Sequence, residues 1–189
     1  MQQSGFSVER SIAFLLGIVL LCWTGAVAPA MAQPLLPLHP IPLATLEMAM
    51  SKPLFSFSGK RPTNLGVTDG KLADCPGTPN CVNSQAPDTD VQHKIAPLSY
   101  TKSPTEAMTA LKGVIQGMKR TQIIREDENY LYVEFTSALM GYVDDVEFLV
   151  DPSAKVIHVR SASRLGQSDL GVNRKRIEEI RAKFVQKNV

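Results

Sequence analysis

The sequence predicts an α+β fold: an antiparallel meander sheet with two helices packed on one face, in the order β-α-β-β-β-β-α. Three observations carry this. A capping box opens an amphipathic run at Ser103, four strand-length segments succeed one another between Gln122 and Ser163, and a second helical run follows near the C-terminus. Helices flanking an unbroken series of strands segregate from the sheet instead of alternating with it.

Each element has its own signal. His93 to Tyr100 reads as the first strand. Ser103-Pro104-Thr105-Glu106 combines the reciprocal Ser/Glu cap with proline at the first helical position. The helix behind it runs to about Lys119, with Ala107, Met108, Leu111, Val114, Ile115 and Met118 on one stripe. Gln122 to Arg125, Tyr130 to Ala138, Val143 to Val150 and Val156 to Ser163 read as successive strands, and Val172 to Gln186 as the last helix.

Registers follow from the turns. Asp151-Pro152-Ser153-Ala154 presets a turn. It places Val150 opposite Ile157, Phe148 opposite Val159 and Glu147 opposite Arg160. A slip of one residue would set Glu147 among apolar neighbours. A loop from Leu139 to Tyr142 sets Val133 against Phe148 and Phe135 against Val146. One face is then apolar: Leu131, Val133, Phe135, Val146, Phe148, Val150, Ile157 and Val159. The opposite face carries Asp145 as a solvated charge near Thr136, and Glu134, Glu147 and Arg160 as a cross-strand row whose surface pairs contribute about 0–1 kcal/mol. His158 and Arg164 share its parity, with His158 expected to be structural or exposed.

The same parity makes the apolar face turn polar at one end, at Ser137, Asp144, Ser161 and Ser163. The last helix aims Leu170, Asn173, Ile177, Ile180 and Phe184 within roughly 60° of one line. Asn173 is the odd member, and inward polar groups need partners. Gly166 and Gly171 allow a tight turn from Arg164 into this helix. Asn173 is therefore expected within reach of Asp144, Ser163 or the loop backbone, with Arg164 and Arg174 paired to Asp144 or Asp169. The cluster Ser137, Asp144, Ser161, Ser163, Arg164, Asp169, Asn173 and Arg174 admits two interpretations. One is a satisfied structural network; the other is a ligand pocket with the helix N-terminus as its positive end.

Three regions organise the 189 residues. Residues 1–32 read as a cleavable signal peptide: Arg10 is the positive n-region, Ile12 to Val27 the apolar h-region, and Ala30-Met31-Ala32 the cleavage pattern. A retained anchor, which needs about 20 apolar residues, is the competing interpretation. Pro29 and the small-residue ending favour cleavage, and Leu21 before Cys22 argues against a lipoprotein signal. Residues 33–71 form a proline-rich, poorly ordered linker with a short helix possible around Ala44 to Met50, and 72–189 a single α+β domain. Cleavage removes Glu9 with Arg10, so the formal charge stays at +2. That is too near neutral for a nucleic-acid binder. The mature chain keeps Cys75 and Cys81, an even pair in an exported chain, which reads as a disulfide. A zinc knuckle would need shorter spacing and four ligands. A Cys81 nucleophile served by His93 or His158 is the other alternative weighed.

Three motifs stand in order: CPGTPNCVNSQ (Cys75 to Gln85), GYVDDVEF (Gly141 to Phe148) and RSASRLGQSDLGVNRKRIEEIR (Arg160 to Arg181). On these the chain, from Leu72 to Phe184, resembles the bacterial and plastid family of unknown function numbered 1499. That resemblance implies no activity and no catalytic residue. With the signal and the proline-rich lead, it implies an exported member, in the periplasm or thylakoid lumen, with no stable membrane anchor after cleavage.

The function classes follow. An exported soluble accessory domain with a protein partner or structural role comes first. Second is a small-molecule binder, for an apolar or anionic ligand, in a helix-grip-like pocket; this rests on fold analogy. A hydrolase-like enzyme comes last, because no nucleophile–base–orienter set, metal cluster or phosphate loop stands at a recognisable spacing. No cofactor and no metal are implied.

Overall fold

The computed structural model describes residues 53–187. The signal segment 1–32, the stretch to Lys52 and the short helix expected at Ala44 to Met50 lie outside the described residues. The elements in chain order are β1 (Val67–Thr68), β2 (Lys71–Leu72), β3 (Cys81–Asn83), β4 (Leu98–Ser99), α1 (Pro104–Gln116), β5 (Thr121–Glu126), β6 (Tyr130–Thr136), β7 (Val143–Asp151), β8 (Val156–Ser163) and α2 (Val172–Val185). The main sheet is antiparallel in the order β3-β8-β7-β6-β5, and β4 shares the outer edge of β8 with β3. This is the α+β architecture expected.

Helix α1 begins as its sequence dictates. Ser103 accepts from the Glu106 N–H while the Glu106 carboxylate accepts from the Ser103 N–H, and Pro104 fills the first turn. Its apolar stripe meets Ile177, Ile180 and Phe184 of α2 over the expected sheet face, and all eight of that face's apolar residues are buried. Phe148 and Phe184 are among the largest fully buried side chains.

The β7–β8 register is the one predicted: Val150 pairs with Ile157, Phe148 with Val159 and Glu147 with Arg160. The β6–β7 register is displaced by two residues. Val133 pairs with Val146, Leu131 with Phe148 and Phe135 with Asp144. Side-chain parity survives because the displacement is even. The cause is a connection centred one residue earlier than Leu139 to Tyr142, with Ser137 facing Tyr142 across it. Ser137 closes it by donating its N–H to Tyr142 O at 2.8 Å and accepting the Tyr142 N–H on Oγ at 2.9 Å.

The expected strand at His93 to Tyr100 shortens to Leu98–Ser99. Asp90 takes the earlier residues into a turn: its carbonyl accepts from the Lys94 N–H at 2.8 Å and its carboxylate meets His93 Nδ1 at 2.8 Å. Strand β3, which no periodicity announces, pairs with β8 through Cys81, Val82 and Asn83. Asn83 and Gln85 stitch the motif around it, with Asn83 Nδ2 donating to Ala73 O and Gln85 Oε1 accepting from the Leu72 N–H. Cys75 and Cys81 are joined as a disulfide, S–S 2.03 Å.

The largest departure is the second face of the sheet, which is covered, not solvated. The stretch 53–71, assigned above to the linker, lies across the domain. The Phe55 and Phe57 N–H groups donate to Leu139 O and Met140 O, Arg61 reaches Glu134, and the Gly66 N–H donates to Glu147 Oε1. Leu72 packs with Tyr130, Tyr132 and Leu149 in a second small core on this face.

Candidate functional site

Asn173 is the hub of the polar end, as its position on the helix predicts. It is fully buried. Its Oδ1 accepts from Ser161 Oγ at 2.5 Å and from Arg176 Nη1 at 2.7 Å. Its Nδ2 donates to Asp169 Oδ2 at 2.8 Å, Ser163 Oγ at 2.9 Å and Asn80 O at 3.0 Å. Asp169 also accepts the Gly171 and Asn173 N–H groups, at 2.9 and 2.7 Å, and so satisfies donors at the α2 start. Burial opposes the charge on Asp169, but those backbone and side-chain donors outweigh it and hold its carboxyl below the usual range.

Of the eight residues proposed from sequence, Ser161, Ser163, Asp169 and Asn173 share this network, and Asp144 joins it through Arg176, whose Nη2 pairs with the Asp144 carboxylate. Three do not. Ser137 turns its hydroxyl to the β6–β7 connection. Arg174 donates to Gln92 O at 3.0 Å instead of to Asp144 or Asp169. Arg164 leaves for the opposite face, because strand parity extends through it. Two members were missed. Arg176 stands three residues after Asn173, on the same side of the helix, a signal the sequence did carry. Asn80 is delivered by the disulfide loop, where no pattern marks it; its Nδ2 donates to Gly166 O at 2.7 Å.

The opposite face holds a second ionic cluster. Glu147, expected as a solvated surface charge, is fully buried and accepts from Tyr130 Oη and the Gly66 N–H, both at 2.7 Å, and from Arg160 Nη1 at 3.2 Å. Asp145, expected as a solvated charge near Thr136, is 1% exposed. It accepts from Tyr132 Oη at 2.5 Å and from Arg164 Nε and Nη2 at 2.9 and 2.7 Å. Glu134 bridges Arg61 and Arg164. Burial, then the neighbouring carboxylates, pushes the Tyr130 and Tyr132 phenols far above their ordinary range. Burial would raise the Glu134 carboxyl, but hydrogen bonds from Arg164, Arg61 and Tyr132 hold it low.

Among the described residues, no serine, histidine and carboxylate stand in the geometry of an acyl-transfer triad. The nearest approach is Ser84–His158–Asp151. Ser84 is buried, its Oγ already accepts the Val159 N–H at 2.9 Å, and His158 Nε2 stands 3.8 Å from Asp151, beyond hydrogen-bond reach. Cys81 is in the disulfide. Among the described residues there is no group of three or more His, Cys, Asp or Glu placed to hold a metal.

Above the Asn173 network lies a cleft of about 450 Å³. Phe57, Tyr142, Val143, Leu165 and Val172 form its apolar walls, and Ser137, Asp144, Ser163 and Asp169 its polar lining. Phe57, Val172, Leu165 and Tyr142 are 44% to 48% exposed there. An adjoining cleft of about 570 Å³ is bordered by Lys119, Arg120, Lys175, Arg176 and Lys183, with Asp144 and Glu179 as the acidic members. The three sequence motifs thus converge on one unit: the disulfide loop supplies Asn80, the GYVDDVEF strand supplies Asp144, and the last motif supplies Ser161 to Arg176. The model of the family described as a protein of unknown function (DUF1499) matches residues 71–184, the span containing all three. The chain belongs to the DUF1499 family. No curated protein matches it. In this DUF1499 domain the motif residues are largely those that build the two buried networks, and the clefts lie at their margins. No helix among the described residues is long and apolar enough to cross a membrane.

Proposed function

We propose that the domain is an exported binding module whose partner-facing surface is the apolar rim of the cleft at the polar end of the sheet. One observation carries this. Phe55, Phe57, Tyr142, Leu165 and Val172 are each 44% to 49% exposed, and Leu139 on the connection facing Phe55 is 58% exposed. Phe57 sits between Phe55 and Tyr142, with ring centroids at 6.4 and 6.1 Å. Contiguous exposed aromatic and aliphatic groups, rimmed by polar ones, are the composition of a protein-interaction surface. The buried Asn173 network beneath acts as the rigid floor. The leader 1–32 directs export, and the periplasm or thylakoid lumen is the compartment that favours the disulfide.

A photo-crosslinking residue placed at Leu165 or Tyr142 in the native cell should trap one defined protein adduct. The same residue at Lys112 should not. Absence of an adduct at both rim positions would overturn the proposal.

A second reading is favoured by the adjoining basic cleft, whose five cations outnumber two carboxylates. It would take a small anion. Saturable stabilisation by phosphate, lost in Lys119→Glu with Lys183→Glu, would support it over the protein partner.

A further inference from the structure

Leu170 is the most exposed large apolar side chain among the described residues, at 87%, and its backbone sits in the left-handed region with φ 54°. A bulky residue is disfavoured there, where glycine or asparagine fits with little strain. The fold gains almost no burial from this leucine in return. Strain kept at an exposed position points outward, to a contact made beyond the chain.

The surroundings of Leu170 are basic. It stands two residues before Val172, which borders the adjoining cleft of about 570 Å³. Lys119 and Arg120 reach that border from the turn after α1, and Lys175 reaches it from α2. These three cations make no ion pair among the described residues, whereas Arg176 is matched by Asp144 and Lys183 by Glu179. Asp169, next to Leu170, has its carboxylate turned to the Gly171 and Asn173 N–H groups. Positive charge is therefore in excess beside the loop that presents the leucine.

We infer that this face docks on an anionic lipid surface, with Leu170 entering the acyl boundary and Lys119, Arg120 and Lys175 meeting headgroup phosphates. The inference rests on the basic cleft as an anion site and is independent of a protein partner at the rim. A free phosphate accounts for the cations but leaves the protruding leucine without a role. A lipid surface answers both features, because apolar insertion and attraction to anionic headgroups add in interfacial binding. Lys119 and Lys175 are exposed, and such long stems lie along acyl chains while their heads stay at the phosphates. One leucine with three cations gives peripheral, reversible attachment.

The test is flotation of the exported protein, residues 33–189, with vesicles of phosphatidylglycerol mixed equally with phosphatidylcholine. Each cation near such a surface is worth roughly a fivefold gain in partition. Pure phosphatidylcholine should therefore bind at least about fiftyfold more weakly, and Lys119→Gln with Lys175→Gln should lose roughly twentyfold. Leu170→Asn should weaken partition roughly tenfold while Tm stays unchanged or rises, since asparagine tolerates the left-handed backbone. The single tryptophan, Trp23, lies in the leader, so Leu170→Trp places a lone reporter whose emission should shift to the blue on the mixed vesicles. Equal binding to pure phosphatidylcholine, or no blue shift on bound vesicles, would overturn the inference. So would a lower Tm in Leu170→Asn, which would make the leucine structural. Saturable stabilisation by inorganic phosphate without flotation would leave the anion site standing and remove the lipid; failure of both would remove both. Polyglutamate binding more tightly than the vesicles would assign the face to an acidic protein instead.

Discussion

Asp144 and Asp145 are neighbours in sequence and belong to different ionic networks. Asp144 faces the helices and pairs with Arg176, whereas Asp145 faces the covering segment and pairs with Arg164 at 2.7 Å. The alternation of a strand separates them, and each network carries its own prediction.

On the helix side, Asn173→Leu should destabilise the domain by about 2–3 kcal/mol, because Asp169, Ser161, Ser163 and Asn80 O lose a partner while buried or half-buried. Urea denaturation at neutral pH measures it. A cost below about 0.5 kcal/mol, the range of uninvolved surface positions, would show that the network is not structural.

On the covered side, Glu147→Gln keeps an acceptor for Tyr130 and Gly66 but leaves Arg160 without its counter-charge. Breaking a buried pair from one side costs about 3–5 kcal/mol, against about 0–1 kcal/mol for a surface pair. The same denaturation experiment decides between a covered and a solvated face.

Acid should weaken the fold through Glu134 and Asp169. Both carboxyls titrate lower in the folded state than unfolded. Their contribution is complete above the ordinary carboxyl range, about 4, and is lost as pH falls through the folded values. Tyr130 and Tyr132 are raised, so their contribution is present below the ordinary phenol value of about 10 and is lost above it. Stability measured across pH should fall at both ends, and Glu134→Gln should flatten the acid limb.

Replacing both cysteines by serine should cost about 2–3 kcal/mol for so short a loop in the chain-entropy model. Because Asn80 on that loop holds Asn173 and Gly166, hydrogen exchange should rise over residues 165–171 in the same variant. Unchanged exchange there would show that the loop and the network are independent.

The exported protein should begin at Gln33. An intact mass lacking residues 1–32 is the expected result, and recovery of the full-length chain from a membrane fraction would establish an anchor instead.

The sequence by itself determined the inner face, the capped helix α1 and the central position of Asn173. These depend on periodicity and short-range capping, which are written locally. Parity even survived the two-residue displacement at β6–β7, since an even shift leaves every side chain on its own face. Only the tertiary structure decided what covers the other face. Residues 53–76 cross it with little periodicity, held by turns, the disulfide to Cys81 and backbone bonds to distant partners, and none of these announces where a chain will lie. Their arrival removes Glu147, Arg160 and Asp145 from water. In a low-dielectric setting those charges must be paired with far greater precision than at a surface. Burial by a remote segment, which no local pattern records, therefore turned an ordinary row of surface charges into a buried network.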